Sequence, residues 1–219
     1  MIDIADLKMD FMVLIALPAL SLFLFVTYLI VIGILRKILS KDLQSSDEEK
    51  VSTLVILGSG GHTTEMLRLV SALSDEKYTP KKFMLAETDS SSIHKLKDSN
   101  YDQNIISIPR SREVRQSWIT TIFSTIKATI HCCRILHEYR PTLLLCNGPG
   151  TCVPPCLVAW LYNKTTTHKT TIVFVESICR IKSFSLTGKI LQYFADSCLV
   201  QWPELATKNE RFKYIDIFT

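Results

Sequence analysis

The stretch from Val51 to Val70 constrains this chain more than any other. Leu54-Val55-Ile56-Leu57 is an apolar run too short for a helix and closed by glycine, which suits a strand buried on both faces of a parallel sheet. Gly58-Ser59-Gly60-Gly61-His62 interrupts the run. Thr63, Thr64 and Glu65 then open a helix whose apolar face is Met66, Leu67, Leu69, Val70 and Leu73. Glycines allow positive φ and close approach of a ligand, and the unbonded N–H groups of a first helical turn attract an anion, so phosphate or diphosphate is the expected ligand. Gly58-x-Gly60-x-x-Thr63 lacks the third glycine of a dinucleotide fingerprint, and no Gly-Lys-Ser/Thr follows, which excludes a standard P-loop. The plainer alternative is a turn that only bends the chain. His62 argues against it, because histidine can accept a proton near neutral pH and a simple bend needs no such group.

The alternation continues along the chain. Further strands are expected at Phe83–Ala86, Ile105–Ile108, Leu143–Cys146, Thr171–Val175 and Cys198–Gln201, with helices between them. This pattern predicts an α/β fold, a Rossmann-like doubly wound parallel sheet with right-handed crossovers. Each unusual cluster follows a strand and so falls on the carboxyl edge, where open α/β sheets bind ligands.

After the second strand, Glu87 or Asp89 could bind a ribose, or Asp89 could cap a helix ahead of Ile93. After the third, Pro109-Arg110-Ser111-Arg112-Glu113-Val114-Arg115 carries guanidinium groups that suit a diphosphate or anionic headgroups, unless it is a solvated basic turn. Asn147-Gly148-Pro149-Gly150-Thr151 is a second glycine turn before a helix. Glu176 leaves the fifth strand either as a sugar-hydroxyl ligand or as a partner for Arg180.

Trp118, Ile119, Ile122, Phe123, Ile126, Ile130 and Cys133 form an apolar stripe at helical spacing. Such a helix packs on a core, the commoner outcome, with its Trp118 end able to reach the bilayer, or lies in a membrane interface. Lys127, His131 and Arg134 argue against a second span. The tail Phe212–Phe218 alternates apolar and polar residues, as a terminal strand or a partner-docking peptide does.

With 219 residues and 47% hydrophobic content, the chain can supply one membrane span and one domain. Phe11–Leu35 carries no charge and is long enough to cross the hydrocarbon core. Arg36, Lys37 and Lys41 follow it and acids precede it, which places the main domain in the cytosol. The expected organisation is a short lumenal segment at 1–10, a transmembrane helix at 11–35, a basic flank and linker at 36–50, the Rossmann-like domain at 51–203 and a tail at 204–219. Seven cysteines, an odd number without a Cys-x-x-Cys pair, read as reduced structural thiols. A net charge of +4 is too mild for nucleic acid. No Asp-x-Asp metal motif is present, so no metal ligand is expected from this chain, although scattered carboxylates leave room for a loosely held Mg²⁺.

Four blocks taken together resemble one eukaryotic family: Gly58 to Glu65, Pro109 to Glu113, Cys146 to Pro154 and Val175 to Arg180. It is the family of membrane-anchoring subunits of the UDP-N-acetylglucosamine transferase that adds the second sugar to dolichol diphosphate N-acetylglucosamine. That family is similar in turn to the N-terminal half of the bacterial lipid II-forming transferase.

The resemblance implies the N-terminal half of a GT-B glycosyltransferase, inactive alone. A soluble catalytic partner would hold most of the UDP-N-acetylglucosamine donor, and no cofactor is expected on this chain. This chain would anchor the enzyme to the cytosolic face of the endoplasmic reticulum and hold the lipid-linked acceptor. It also implies His62 as the base for the acceptor hydroxyl. Ser59, Gly60, Gly61, Thr63, Arg110, Arg112, Asn147, Gly148, Gly150, Glu176 and Arg180 would lie about the acceptor and its diphosphate, and Tyr214, Ile215, Ile217 and Phe218 would dock the partner. The bacterial pattern has Thr at the position of Ser59. Two other readings stand beside this one: a membrane-anchored NAD(P)-dependent oxidoreductase, and a purely structural membrane recruiter.

Overall fold

The computed structural model describes residues 50–99, 101, 104–111 and 116–216. The expected transmembrane helix with its flanks, Arg112, Ile217 and Phe218 lie outside the described residues, as do the side chains of Trp118 and Ile119. Among the described residues no helix is long and apolar enough to cross a membrane. The described residues up to 163 and from 168 to 216 form one compact unit.

Seven strands alternate with helices: β1 (Thr53–Ile56), α1 (Gly61–Ser71), β2 (Lys81–Ala86), α2 (Ser90–Asp98), β3 (Ile105–Ile108), α3 (Trp118–Tyr139), β4 (Leu143–Asn147), α4 (Val153–Thr165), β5 (Thr171–Val175), α5 (Leu186–Leu191), β6 (Ser197–Val200), α6 (Pro203–Ala206) and β7 (Phe212–Tyr214). They form one sheet in the order β3-β2-β1-β4-β5-β6-β7, and every pairing is parallel. The order reverses between β1 and β4, so the turns that leave these two strands part to opposite faces and open a crevice at the carboxyl edge.

The side-chain period of two divides the core. Leu54, Ile56, Leu144, Cys146, Ile172 and Phe174 face Cys132 and Leu136 of α3 and Cys156, Val158 and Ala159 of α4. Val55, Leu57, Phe83, Leu85, Leu145 and Val175 face Met66 and Val70 of α1 and Leu96 of α2. Runs apolar at every position are what a sheet covered on both faces requires. Because α1 and α2 cover only part of their face, an apolar groove of about 500 Å³ remains beside them, lined by Leu69, Leu73, Leu143, Val173, Leu199 and Ile215.

One expectation changes. Most of the described stripe of α3 does not face the core: Ile122, Phe123, Ile126 and Ile130 are 59%, 70%, 52% and 64% exposed, while Cys133 packs on it. A helix of 22 residues spans roughly 33 Å, about twice the length of the four- and five-residue strands it packs against. Ala128, Cys132 and Leu136 are buried, and Tyr139 at the end of the helix donates to the Thr53 carbonyl at 3.2 Å. The residues from Ile122 to Ile130 thus form a second, exposed apolar face on the same helix.

The tail takes the terminal-strand form of its two expected readings. Residues 212–214 are the seventh strand, reached through α6, with Ile215 N–H donating to the Val200 carbonyl and its side chain packed on the second core cluster. Tyr214 is 45% exposed on the edge strand.

All seven thiols are free; Cys132, Cys146, Cys152, Cys156 and Cys198 are buried and Cys179 is exposed. Burial pushes the Cys132 and Cys198 thiols up from 9.0 to about 12 and holds that of Cys146 well above the ordinary thiol value. Unfolded thiols ionise first, so stability is full below about pH 9 and falls as pH rises toward 12. A neutral-pH thiol reagent is therefore expected to label Cys179 first and the buried five only on unfolding. Rapid native labelling of Cys146 or Cys156, read by peptide mass, would contradict this packing.

Candidate active site

Two glycine turns meet at the carboxyl edge, Gly58–Gly61 after β1 and Gly148–Gly150 after β4. They interlock because each glycine makes room for a side chain of the other turn. A Cβ on Gly58 would stand 2.4 Å from Pro149 Cδ, and one on Gly148, whose φ is 91°, would stand 2.3 Å from His62 Nδ1. His62 sits in the first turn of α1 with its ring against Gly148. Its Nδ1 lies 3.1 Å from Asn147 Oδ1 at the end of β4.

Asn147 is fully buried, and its Nδ2 donates to Glu65 Oε2 at 3.0 Å and to the Val175 carbonyl at 3.3 Å. Ser177, just past β5, donates its hydroxyl to Glu65 Oε1 at 3.0 Å. The side chains of His62 and Glu65 are 31% and 16% exposed, so the imidazole reaches the surface while the carboxylate stays mostly covered. Beyond it, no atom among the described residues, the adjoining chain aside, lies within 4 Å of a Cβ placed on Gly60, at φ 68°, or on Gly61.

Cations flank the first turn. Arg110 Nη2 donates to Ser59 Oγ at 3.5 Å and Nη1 to Thr88 Oγ1 at 3.4 Å. Lys95, from α2, donates to the Gly60 carbonyl at 2.7 Å and to Thr64 Oγ1 at 2.8 Å. The open turn, the first N–H groups of α1 and two cations make a place for negative charge beside a histidine. Among the described residues no group of three or more His, Cys, Asp or Glu side chains is placed to hold a metal ion.

The structure brings Ser59, Gly60, Gly61, His62, Arg110, Asn147 and Gly148 together, and Gly150 opens the short 3₁₀ turn ahead of α4. It assigns several of them other work than ligand contact. Thr63 is buried, its hydroxyl bonded to the Gly58 carbonyl and to Ser92 Oγ, so it ties the turn to α2. Asn147 faces His62 with its amide spent at both ends.

Glu176 turns its carboxylate to backbone N–H groups rather than to Arg180. It is 1% exposed and takes the backbone N–H groups of Ser177 and Ser185 at 3.1 and 2.9 Å. Two N–H donors on a buried carboxylate close the loop from β5 to α5. Arg180 is exposed. Asp89 is buried and caps α2, accepting from Ser92 N at 3.2 Å and Ser91 Oγ at 3.0 Å; Glu87 points to solvent. Asp89 is thus taken up as a helix cap, while Glu87 stands exposed just past the carboxyl end of β2.

Glu65, Ser177 and Lys95 are functional-site residues that sequence reasoning missed. Glu65 stands three residues after His62 on a helix, the spacing that puts two side chains on one face. That signal was legible. The convergence of Ser177 and Lys95 from other elements was not.

A doubly wound parallel sheet with a histidine wedged between two glycine turns at its switch point is a Rossmann-like ligand-binding domain with one acid–base side chain at the mouth of its crevice. Residues 53–218 match the family described as oligosaccharide biosynthesis protein Alg14 like. The chain belongs to that family. It is 41% identical over 187 residues to the human protein named UDP-N-acetylglucosamine transferase subunit ALG14, a match covering 80% of this chain and 86% of the relative. The fission yeast (Schizosaccharomyces pombe) protein of the same name is 44% identical over 172 residues, covering 75% and 81%.

Among solved structures, MurG of Acinetobacter baumannii is similar in fold, with a TM-score of 0.59 at 17% identity, covering 74% of this chain and 45% of that one. A putative UDP-N-acetylglucosamine 2-epimerase from Listeria monocytogenes gives 0.54 at 14% identity, covering 70% and 40%. The chain thus spans less than half the length of these structures.

The two glycines after β4 make contrasting predictions. Gly148→Ala is expected to cost about 1–3 kcal/mol of stability and to displace His62, because the Cβ has neither room nor an allowed φ. Gly150→Ala, with nothing within 4 Å of the added Cβ, is expected to leave the melting temperature nearly unchanged. Glu176→Ala is expected to lose about 1.5–3 kcal/mol, the range for a hydrogen bond to a charged group, measured by denaturant unfolding.

Proposed function

We propose that this chain is the membrane-anchoring, acceptor-binding subunit of a heteromeric glycosyltransferase that adds the second N-acetylglucosamine, from UDP-N-acetylglucosamine, to dolichol diphosphate N-acetylglucosamine. The observation that carries the reading is His62, held by Asn147 beside an open, cation-flanked glycine turn. The printed names of the relatives support the transferase and the subunit.

Inverting transfer needs the acceptor hydroxyl in line with the anomeric carbon, a base for its proton, and positive groups to hold the diphosphate. In this reading His62 takes the proton. The turn Ser59–Gly61 with Arg110 and Lys95 faces the acceptor diphosphate, and Arg112 adds a further cation. A soluble catalytic partner holds most of the donor, and any Mg²⁺ would be loosely held.

The domain would face the cytosol from the endoplasmic reticulum membrane, anchored by residues 11–35. The exposed stripe of α3, which follows the arginine loop, suits contact with the bilayer at the edge where a lipid-linked acceptor must arrive. Tyr214 and Ile215, with Ile217 and Phe218 beyond them, would dock the partner. Ile215 also lines the uncovered apolar groove, which supports that placement.

The test is transfer from labelled UDP-N-acetylglucosamine to a phytanyl-diphosphate-linked N-acetylglucosamine, using membranes that contain this chain with and without the soluble partner. Activity is expected only with both. His62→Ala should lower turnover by about 10²–10⁴-fold, the usual range for a positioned general base, without loss of assembly. Full turnover by an assembled His62→Ala complex would favour the purely structural recruiter. Protection of the fold by NAD(P) would favour the oxidoreductase.

A further inference from the structure

Glu65 has no part in the chemistry so far. Its carboxylate nonetheless lies behind His62, most of it covered, and both of its oxygens have partners. What it does follows from the donor and acceptor roles around Asn147. A carboxylate and a backbone carbonyl can only accept. Asn147 meets both of them, Glu65 Oε2 at 3.0 Å and the Val175 carbonyl at 3.3 Å, so the end of the amide that faces them must be the NH₂ group. Turned over, the amide would set its own oxygen against two acceptors inside a buried site. Oδ1 therefore faces His62, and across the 3.1 Å contact Nδ1 must carry the hydrogen. In the neutral ring the lone pair is then on Nε2, the nitrogen away from Asn147.

We propose that Glu65 is a positioning residue that locks the Asn147 amide and so holds His62 in the tautomer with Nδ1 protonated and Nε2 ready to accept a proton. The proposal rests on the reading of His62 as the base. Val175 alone offers one longer hydrogen bond to the amide, so Glu65 supplies the stronger half of the lock. Ser177 fixes the carboxylate by its other oxygen, and the chain of contacts joins α1, the end of β4 and the loop after β5.

When Nε2 takes the proton of the acceptor hydroxyl, that hydroxyl oxygen becomes the nucleophile and the ring becomes imidazolium, with Nδ1–H still on Asn147. Glu65 Oε2, 3.9 Å from Nδ1, is placed to offset the new positive charge. Glu65 thus has two separable effects on His62, orientation through Asn147 and charge across space.

The test uses the full-length chain assembled with its soluble partner and labelled with ¹⁵N-histidine, the His62 signals being assigned by their loss in His62→Gln. Neutral His62 in the unmutated complex is expected to show protonated Nδ1 and unprotonated Nε2. Glu65→Gln keeps an oxygen for Asn147 Nδ2 but removes the charge, so the tautomer should persist while kcat falls by about tenfold. Glu65→Ala frees the amide and should give mixed tautomers, with kcat down by about 10- to 100-fold and KM for both substrates within about twofold.

A merely structural staple would lower the melting temperature of Glu65→Ala and leave its tautomer and kcat as they were, and that result overturns the proposal. So does Nε2–H in the unmutated complex. Should Glu65→Ala fail to assemble, the unmutated tautomer and the kcat of Glu65→Gln decide, and an undiminished kcat there overturns it. Full turnover by His62→Ala alongside the expected tautomer sinks the base reading, and the catalytic role of Glu65 with it. The wrong tautomer sinks the Glu65 lock alone.

Discussion

The steric exchange between two turns is the constraint on which the rest of this edge depends. Gly58 admits Pro149, and Gly148 admits the ring of His62, so the loops after β1 and β4 close on one another through those two side chains. These strands are neighbours in the sheet and mark its switch point, where a crevice opens for geometric reasons alone. Interlocking the turns converts that crevice into a site of fixed shape. It also buries Asn147, which has no low-energy place in a core unless every polar atom finds a partner. The partners it finds are His62 and Glu65 on α1 and Val175 on β5.

From that interlock follows a division of labour that residue type alone does not show. Buried polar groups near the site hold backbone in place: Thr63 ties the first turn to α2, Asp89 caps α2, and Glu176 closes the loop to α5. Groups left at the surface, the His62 ring, Arg110 and the open face of Gly60 and Gly61, are the ones a ligand can reach. Lys95 belongs to both sets, since it clamps Gly60 and adds positive charge where a diphosphate would lie. Fixed donors around a reacting group need little reorganisation during reaction, which is the general advantage of building a site this way.

Much of this was legible from spacing and composition. All-apolar runs closed by glycine identify buried parallel strands, and the alternation of strand and helix identifies the doubly wound sheet. The glycine-rich turns and His62 announce the ligand edge. What pattern cannot show is direction. The stripe on α3 has helical period, but whether it faces the sheet depends on how far a 22-residue helix overhangs strands of four or five residues. Glu176 and Asp89 look like ligands because they leave strands, yet backbone N–H groups that become unpaired only in the folded loops claim their oxygens. The alternation in the tail suits a strand, but that it pairs within this sheet depends on a free edge at β6, which residues 212–216 do not report.

The central claim is that His62 and Asn147 act as one unit. A double-mutant cycle on transfer activity of the assembled complex tests it most directly, with Ala at His62, at Asn147 and at both. The account predicts strong non-additivity, with the double variant no slower than His62→Ala alone and a coupling of about 0.5–3 kcal/mol, as for residues in direct contact. Losses that simply add would contradict it, because Asn147 would then act on turnover by a route that does not pass through the histidine.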